Sequence, residues 1–182
     1  THQGAAPVTS EDHILGNPNA PIIIIEYSDT ECPYCKTYHA TLQRIIEEYG
    51  RSGTVAWVYR HFPLAAVHDK APKEAEATEC AAELGGEASF WRYLDRIFSI
   101  TPSNNNLDPK LLPTIATDIG LDRSAFERCL KSGKHAAKIE AMIADAGRAG
   151  ATGTPHTVIL VAGNQLPLEG AQPYGSLRSV IE

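Results

Sequence analysis

The apolar positions of the chain fall into two textures. Pro21-Ile22-Ile23-Ile24-Ile25-Glu26-Tyr27 is β-branched and apolar at consecutive positions, the pattern of a central strand buried on both faces. Residues 28–33 interrupt it. Over residues 36–49 the apolar positions recur with helical period: Tyr38, Leu42, Ile45, Ile46 and Tyr49 share one face, and Gly50 supplies a stop. Residues 54–60, with Val55, Trp57, Val58 and Tyr59, read as strand again. Strand, helix and strand at this spacing predict a βαβ unit with parallel strands.

Residues 64–132 differ in kind. Segments near 70–84, 90–100, 109–119 and 122–131 are short and helical in period, separated by Gly85-Gly86, a 102–106 loop and Gly120. The aromatic set Phe90, Trp91, Tyr93 and Phe98 has helical spacing and reads as core. A longer helix over 134–149 carries Ile139, Met142, Ile143 and Ala146 on one side. Strand text returns at 156–161 and 165–169 around a turn at Ala162-Gly163-Asn164, a hairpin, and a closing helix starts from Pro173. Residues 1–10 are small and polar and read as a frayed arm. The order is therefore β-α-β, a helical block, then α-β-β-α.

Composition narrows the field. A chain of 182 residues fits one domain, or one domain with a large insertion. With 43% hydrophobic and 21% charged residues, disordered and fibrous classes drop out. A net charge of −6 and no Lys/Arg run argue against nucleic acid or anionic membrane as partners. No apolar stretch approaches the ~20 residues of a transmembrane helix. The sequence opens at Thr1 without initiator Met, basic n-region or apolar h-region, as a mature or trimmed chain would.

Four cysteines carry the candidate chemistry. Cys32-Pro33-Tyr34-Cys35 lies where the first strand hands over to the first helix. A helix N-terminus offers unpaired N–H groups and the positive end of the macrodipole. A thiolate there is stabilised, so Cys32 should titrate below the ~8.5 of a free thiol. Pro33 suits the first helical turn, and Cys35, one turn in, is placed to resolve a mixed disulfide. The competing reading is a metal pair: Cys32, Cys35 and His39 offer three soft ligands, but no further Cys-x-x-Cys or His-x-His completes a tetrahedral site. A single Met argues against copper trafficking.

Residues 26–36, Glu26-Tyr27-Ser28-Asp29-Thr30-Glu31-Cys32-Pro33-Tyr34-Cys35-Lys36, resemble the active-site strand and turn of the DsbA-like thiol:disulfide oxidoreductases of the thioredoxin superfamily. The lead-in Leu15-Gly16-Asn17-Pro18-Asn19-Ala20-Pro21, then Arg60-His61-Phe62-Pro63-Leu64 and Gly153-Thr154-Pro155, fall in that family's order. The resemblance spans about residues 14–181 and implies an α/β thioredoxin fold, a mixed central sheet flanked by helices, with an inserted all-helical domain. The implied division is an arm over 1–13, a thioredoxin-fold domain over 14–63 and 133–182, and an insertion over 64–132. It also implies a cis-proline at Pro155 facing the cysteines, and substrate-binding backbone groups at Thr154. Glu26 matches the family's buried acid, a group costly to bury unless it relays a proton to or from Cys35.

The dipeptide departs from the strongly oxidising members, which carry Pro-His where this chain has Pro33-Tyr34. A tyrosine stabilises a thiolate less than a histidine does, which predicts an oxidant of intermediate strength; a potential as low as thioredoxin's, about −270 mV, would refute it. His156 follows the expected cis-proline, where it can add positive charge near Cys32. His39 is expected to be exposed, and His61 and His68 to be hydrogen-bonded or on the surface. Cys80 and Cys129 lie on separate predicted helices. If both are bridged they pair with each other as a structural disulfide, and otherwise they are two buried thiols.

The function expected is disulfide donation to reduced or unfolded proteins outside the cytoplasm, in a bacterial periplasm or at the envelope exterior. The chain would act as a monomer needing neither cofactor nor metal. The resemblance implies a quinone-linked membrane reoxidant, DsbB-like or VKOR-like. The alternatives are an isomerase or reductase using the same site, or a metal-binding Cys-x-x-Cys protein.

Overall fold

The computed structural model describes residues 3–182. Five strands, β1 (His13–Leu15), β2 (Ile22–Ser28), β3 (Val55–His61), β4 (His156–Val161) and β5 (Asn164–Glu169), form one mixed sheet in the order β1-β3-β2-β4-β5. β2 and β3 run parallel, joined through α1 (Pro33–Tyr49). β4 is antiparallel to β2, and β5 returns from it as a hairpin. Ala162 and Gly163 both take positive φ in that turn, as two-residue hairpins require. Between β3 and β4 come α2 (Ala71–Gly85), α3 (Glu87–Ile100), α4 (Leu111–Asp118), α5 (Arg123–Ser132) and α6 (Ala136–Arg148), and α7 (Tyr174–Ile181) closes the chain. The mixed sheet with helices on both faces and a helical insertion is the expected fold class.

Strand alternation sorts the core into two faces. Ile22, Ile24, Trp57, Tyr59 and Ile159 meet α1 and the helices after β3, including Leu42, Phe90, Leu94 and Phe126, in one continuous cluster. Ile25, Tyr27, Val58 and Val158 face the other way, onto Ala146 of α6. The helices after β3 thus share a core with the sheet. A buried polar joint adds to it: Glu79 of α2 accepts from His13 Nε2 at 2.7 Å, His61 Nε2 at 2.9 Å and Lys138 Nζ at 2.7 Å. Burial raises the Glu79 pKa, but the two imidazoles outweigh it and hold the carboxyl well below its usual range.

Two expectations change at the N-terminus. Thr1 and His2, part of the expected arm, lie outside the described residues. Residues 3–13 are docked instead of frayed: Ala6 N–H donates to Asp145 Oδ1 at 2.8 Å, Ala5 N–H to Gln165 Oε1 at 2.9 Å, and Ala5 enters the α6-side core. The arm's small polar text conceals these contacts because its partners lie more than a hundred residues away. β1 (His13–Leu15), which pairs antiparallel with β3, was not anticipated; three residues are too short for alternation to register. Arg60 then clasps the arm from β3, with Nε and Nη2 on Asp12 at 2.9 and 3.0 Å and Nη1 on Asp145 at 2.8 Å.

Candidate active site

β2 ends at Ser28 and a tight turn delivers Cys32 to the start of α1. Cys32 is the N-cap residue, with extended φ −82° and ψ 124°, and Pro33 fills the first turn. No side chain caps this helix, so its free N–H groups are left to the sulfur. Cys32 Sγ lies 3.6 Å from the Thr154 carbonyl oxygen, across a Thr154–Pro155 peptide bond that is cis. Cys32 and Cys35 are both free thiols.

The two sulfurs sit in unlike surroundings. Cys32 keeps 5% exposure and Cys35 none, so only the first can be reached. The Cys35 thiol donates to Cys32 and is the chief reason the Cys32 pKa falls to about 6; burial opposes, and the Thr154 side chain and the N–H groups of Cys35 and Tyr34 assist. Burial pushes Cys35 well above its ordinary value, and the charges of Cys32 and Glu26 add to that. Its sulfur accepts the Asp29 N–H at 3.5 Å.

Alternation along β2 explains where Glu26 points: with Ile24 it faces α1, toward the cysteines. Glu26 is fully buried, its Oε1 accepts Trp57 Nε1–H at 3.2 Å, and Oε2 has no hydrogen-bond partner. Burial pushes its pKa up to about 8 against that indole bond. The group is therefore mostly protonated at neutral pH and able to exchange its proton.

The same alternation corrects the expectation for His156. Thr157 faces α1, where its Oγ1 meets Tyr38 Oη at 2.9 Å. His156 is on the opposite face of β4, beside Tyr27, with Nε2 donating to the Ala149 carbonyl at 3.2 Å. The imidazole is thus directed to the α6 side of the sheet, away from the cysteines. His39 is buried, not exposed: Nε2 meets Asp95 at 2.7 Å and the ring stacks on Phe98. Tyr34 is 67% exposed beside the cysteines.

Sequence reasoning passed over the acids of the turn itself. Asp29 and Glu31 are buried. Asp29 Oδ1 accepts Glu31 N–H at 2.8 Å, and its Oδ2 accepts Leu64 N–H at 2.9 Å and meets His68 Nδ1 at 2.8 Å. Glu31 accepts the Thr101 hydroxyl at 2.8 Å and Leu107 N–H at 3.3 Å, while its carbonyl takes Asn104 N–H at 2.7 Å. Thr30 donates to Glu74 of α2 at 2.7 Å. Burial raises Glu74 to about 8, despite the Thr30 bond, with Glu31 and Asp29 adding like charge. The turn ahead of Cys32 is thus tied to three segments of the helical block. Three acids in six residues around a Cys-x-x-Cys, Glu26, Asp29 and Glu31, were the available signal.

Cys80 and Cys129 lie elsewhere, bonded to each other and joining α2 to α5. Among the described residues no helix is long and apolar enough to cross a membrane.

Thr154 Oγ1 is buried without a hydrogen-bond partner, leaving its proton free to turn to the Cys32 thiolate, whose pKa the Thr154 side chain helps to lower. Thr154→Val should therefore raise the Cys32 pKa above about 6, read as a shift of the thiolate's ultraviolet absorbance to higher pH. An unmoved titration would remove Thr154 from the account.

Comparison with known proteins agrees with this geometry. A family model described as Thioredoxin matches residues 8–182. The DsbA2 structure from Pseudomonas aeruginosa superposes with TM-score 0.79 at 30% identity, covering 96% of this chain and 95% of that one. The α-DsbA1 structure from Wolbachia pipientis gives TM-score 0.81 at 27% identity, covering 96% and 90%. BdbD from Bacillus subtilis, at 20% identity and TM-score 0.84 over 98% and 94%, shares the fold. Among curated proteins, Na(+)/H(+) antiporter NhaA 3 of Salinispora tropica is 33% identical over 144 residues, 79% of this chain and 21% of that protein. The chain spans about a fifth of the length of such curated relatives. Fold, family model and a near full-length relative converge, and the chain belongs to the DsbA-like thiol:disulfide oxidoreductases of the thioredoxin superfamily.

Proposed function

We propose that the chain is an oxidase, passing the Cys32–Cys35 disulfide to reduced, partly folded proteins outside the cytoplasm. The observation that carries this reading is the inequality of the sulfurs: Cys32 reachable with a pKa near 6, Cys35 buried and pushed well above its ordinary value. A stabilised Cys32 thiolate favours the dithiol form, which makes the disulfide the stronger oxidant.

A substrate thiolate attacks Cys32 Sγ, the Cys32–Cys35 bond breaks, and its electron pair leaves on Cys35. Cys35 then takes a proton, which Glu26 can give, because its pKa of about 8 lies below that of the buried thiol. A second substrate thiolate attacks the substrate sulfur of the mixed disulfide, and Cys32 departs as a thiolate. The substrate loses two electrons and the Cys32–Cys35 pair gains them. Thr154 and Pro155 hold the substrate strand against Cys32, while Pro33 and Tyr34 set the potential. Exposed Tyr34 supplies no imidazolium, which supports intermediate oxidising strength. Return to the disulfide falls to a quinone-linked membrane partner, DsbB-like or VKOR-like. The likeness to segments of membrane antiporters supports work close to a membrane. The chain acts as a monomer.

Equilibration with glutathione tests the proposal, alongside refolding of reduced and of scrambled ribonuclease. An oxidase refolds the reduced enzyme and repairs the scrambled one poorly. Efficient repair, or a potential near the −270 mV of thioredoxin, would instead mean an isomerase or reductase.

Glu26 gives a second check through stability. Its pKa rises from 4.5 to about 8 on folding, so its contribution is whole below 4.5 and is lost as pH climbs through that window. In the oxidised protein, where Cys32 does not titrate, Glu26→Gln should reduce the fall in urea midpoint between about pH 5 and pH 8. Glu74, also raised to about 8, keeps its own share. The same variant should slow exchange by withdrawing the proton donor. An unchanged pH slope would place Glu26 in contact with solvent.

A further inference from the structure

Away from the cis-proline loop, the Cys80–Cys129 bond has a third companion. The two sulfurs and a ring nitrogen of His135 all lie within 4.8 Å of one another, the one such cluster of potential metal ligands among the described residues. His135 Nε2 is buried without a hydrogen-bond partner. A buried ring nitrogen left without a hydrogen bond is a cost that a packed protein ordinarily removes. Glu83, three residues beyond Cys80 and so on the same side of α2, brings Oε1 to 3.6 Å from that nitrogen, while Lys134 holds the same oxygen at 2.7 Å.

We propose that reduction of the Cys80–Cys129 bond converts this place into a zinc site, with Cys80, Cys129 and His135 as ligands and Glu83 as the fourth. Two thiolates and an imidazole are the donors zinc prefers, and tetrahedral zinc at about 2.3 Å from sulfur needs the sulfurs roughly 3.8 Å apart. The Cα atoms, 5.9 Å apart, permit that separation by side-chain rotation once the S–S bond is gone. Chemically, a dithiol reductant gives two electrons to the Cys80–Cys129 bond and closes its own disulfide, leaving two thiols. Zinc then displaces both thiol protons and forms two Zn–S bonds, and His135 donates its Nε2 lone pair. Lys134 gives up Glu83 Oε1 to the metal. The junction of α2 and α5 is then held in either redox state, by a covalent bond when oxidised and by a metal when reduced. None of this depends on the direction in which Cys32 and Cys35 run.

The experiment uses the full chain carrying Cys32→Ser and Cys35→Ser, so that the exchange thiols cannot hold metal. It is reduced with a dithiol, desalted without oxygen and titrated with zinc, with cobalt as the spectroscopic probe. The expected result is one zinc per chain in the reduced protein and none in the oxidised protein. Cobalt should show the bands of a tetrahedral, sulfur-ligated ion. Adding His135→Ala should weaken binding at least about tenfold, and adding Cys80→Ser with Cys129→Ser should abolish it. Circular dichroism separates lost binding from lost fold. A reduced, folded chain that takes up no zinc overturns the proposal. So does binding that His135→Ala leaves unchanged, or a reduced chain that unfolds and is not restored by zinc.

Discussion

Cys32→Ser should reduce oxidative refolding of reduced ribonuclease to the uncatalysed rate, whereas in Cys35→Ser the Cys32 thiolate, attacking a substrate disulfide and releasing one of its sulfurs as thiolate, should leave a long-lived mixed disulfide. The difference follows from position. At neutral pH a thiol with pKa near 6 is about 90% thiolate, against about 3% for a free cysteine at 8.5. As a leaving group Cys32 gains further, since a thiol of lower pKa departs faster. Serine offers neither. Cys35 is fully buried and, when no second substrate thiol resolves the mixed disulfide, displaces the substrate from Cys32 in the reverse direction, so its loss prolongs the adduct. Mass spectrometry under non-reducing conditions distinguishes the outcomes. Adducts on Cys35 in the Cys32→Ser protein would reverse the assignment of roles.

The second large effect concerns stability. Cys80 and Cys129, separated by 49 residues, close a loop whose chain-entropy contribution is about 4 kcal/mol. Cys80→Ala with Cys129→Ala should therefore lower Tm by about 8–16 °C, at the 2–4 °C per kcal/mol typical of this chain length. Exchange through Cys32 should persist below the new midpoint, because neither residue touches the thiol site. Calorimetry beside a ribonuclease assay would show both. An unchanged Tm would mean that α2 and α5 are fixed by packing alone, around Phe126 and Leu94.

Much of this arrangement is written locally in the chain. The β-branched run at 22–25 and the helical face of Leu42 and Ile45 are long enough for their period to declare them. The Cys-x-x-Cys between them announces the chemistry. What stays hidden depends on distant partners. Ala5 looks like part of a loose arm until Gln165 and Asp145 meet its neighbourhood. His156 looks available to Cys32 until the pairing of Tyr27 with His156 fixes which face of β4 it occupies. Glu31 and Asp29 look like solvated turn acids, and only the segments at 64–68 and 101–107 make them buried acceptors. Register and long-range hydrogen bonds decide these cases, and neither has a local signature.

Those hydrogen bonds also bear on how such a protein can be rebuilt. Ser103, Asn104 and Asn105 all adopt left-handed backbone, a conformation non-glycine residues rarely hold in succession, and the bend presents Asn104 N–H to the Glu31 carbonyl. The helical block is consequently not a cassette. Trimming the chain to its sheet, α1, α6 and α7 would strip Glu31, next to the nucleophile, of the Thr101 and Leu107 donors and Asp29, three residues before it, of Leu64 N–H and His68, so a minimal version must redesign the turn before it can keep the thiol. Grafting the Cys-Pro-Tyr-Cys tetrapeptide onto a bare scaffold would carry over the letters without the support that sets their reactivity.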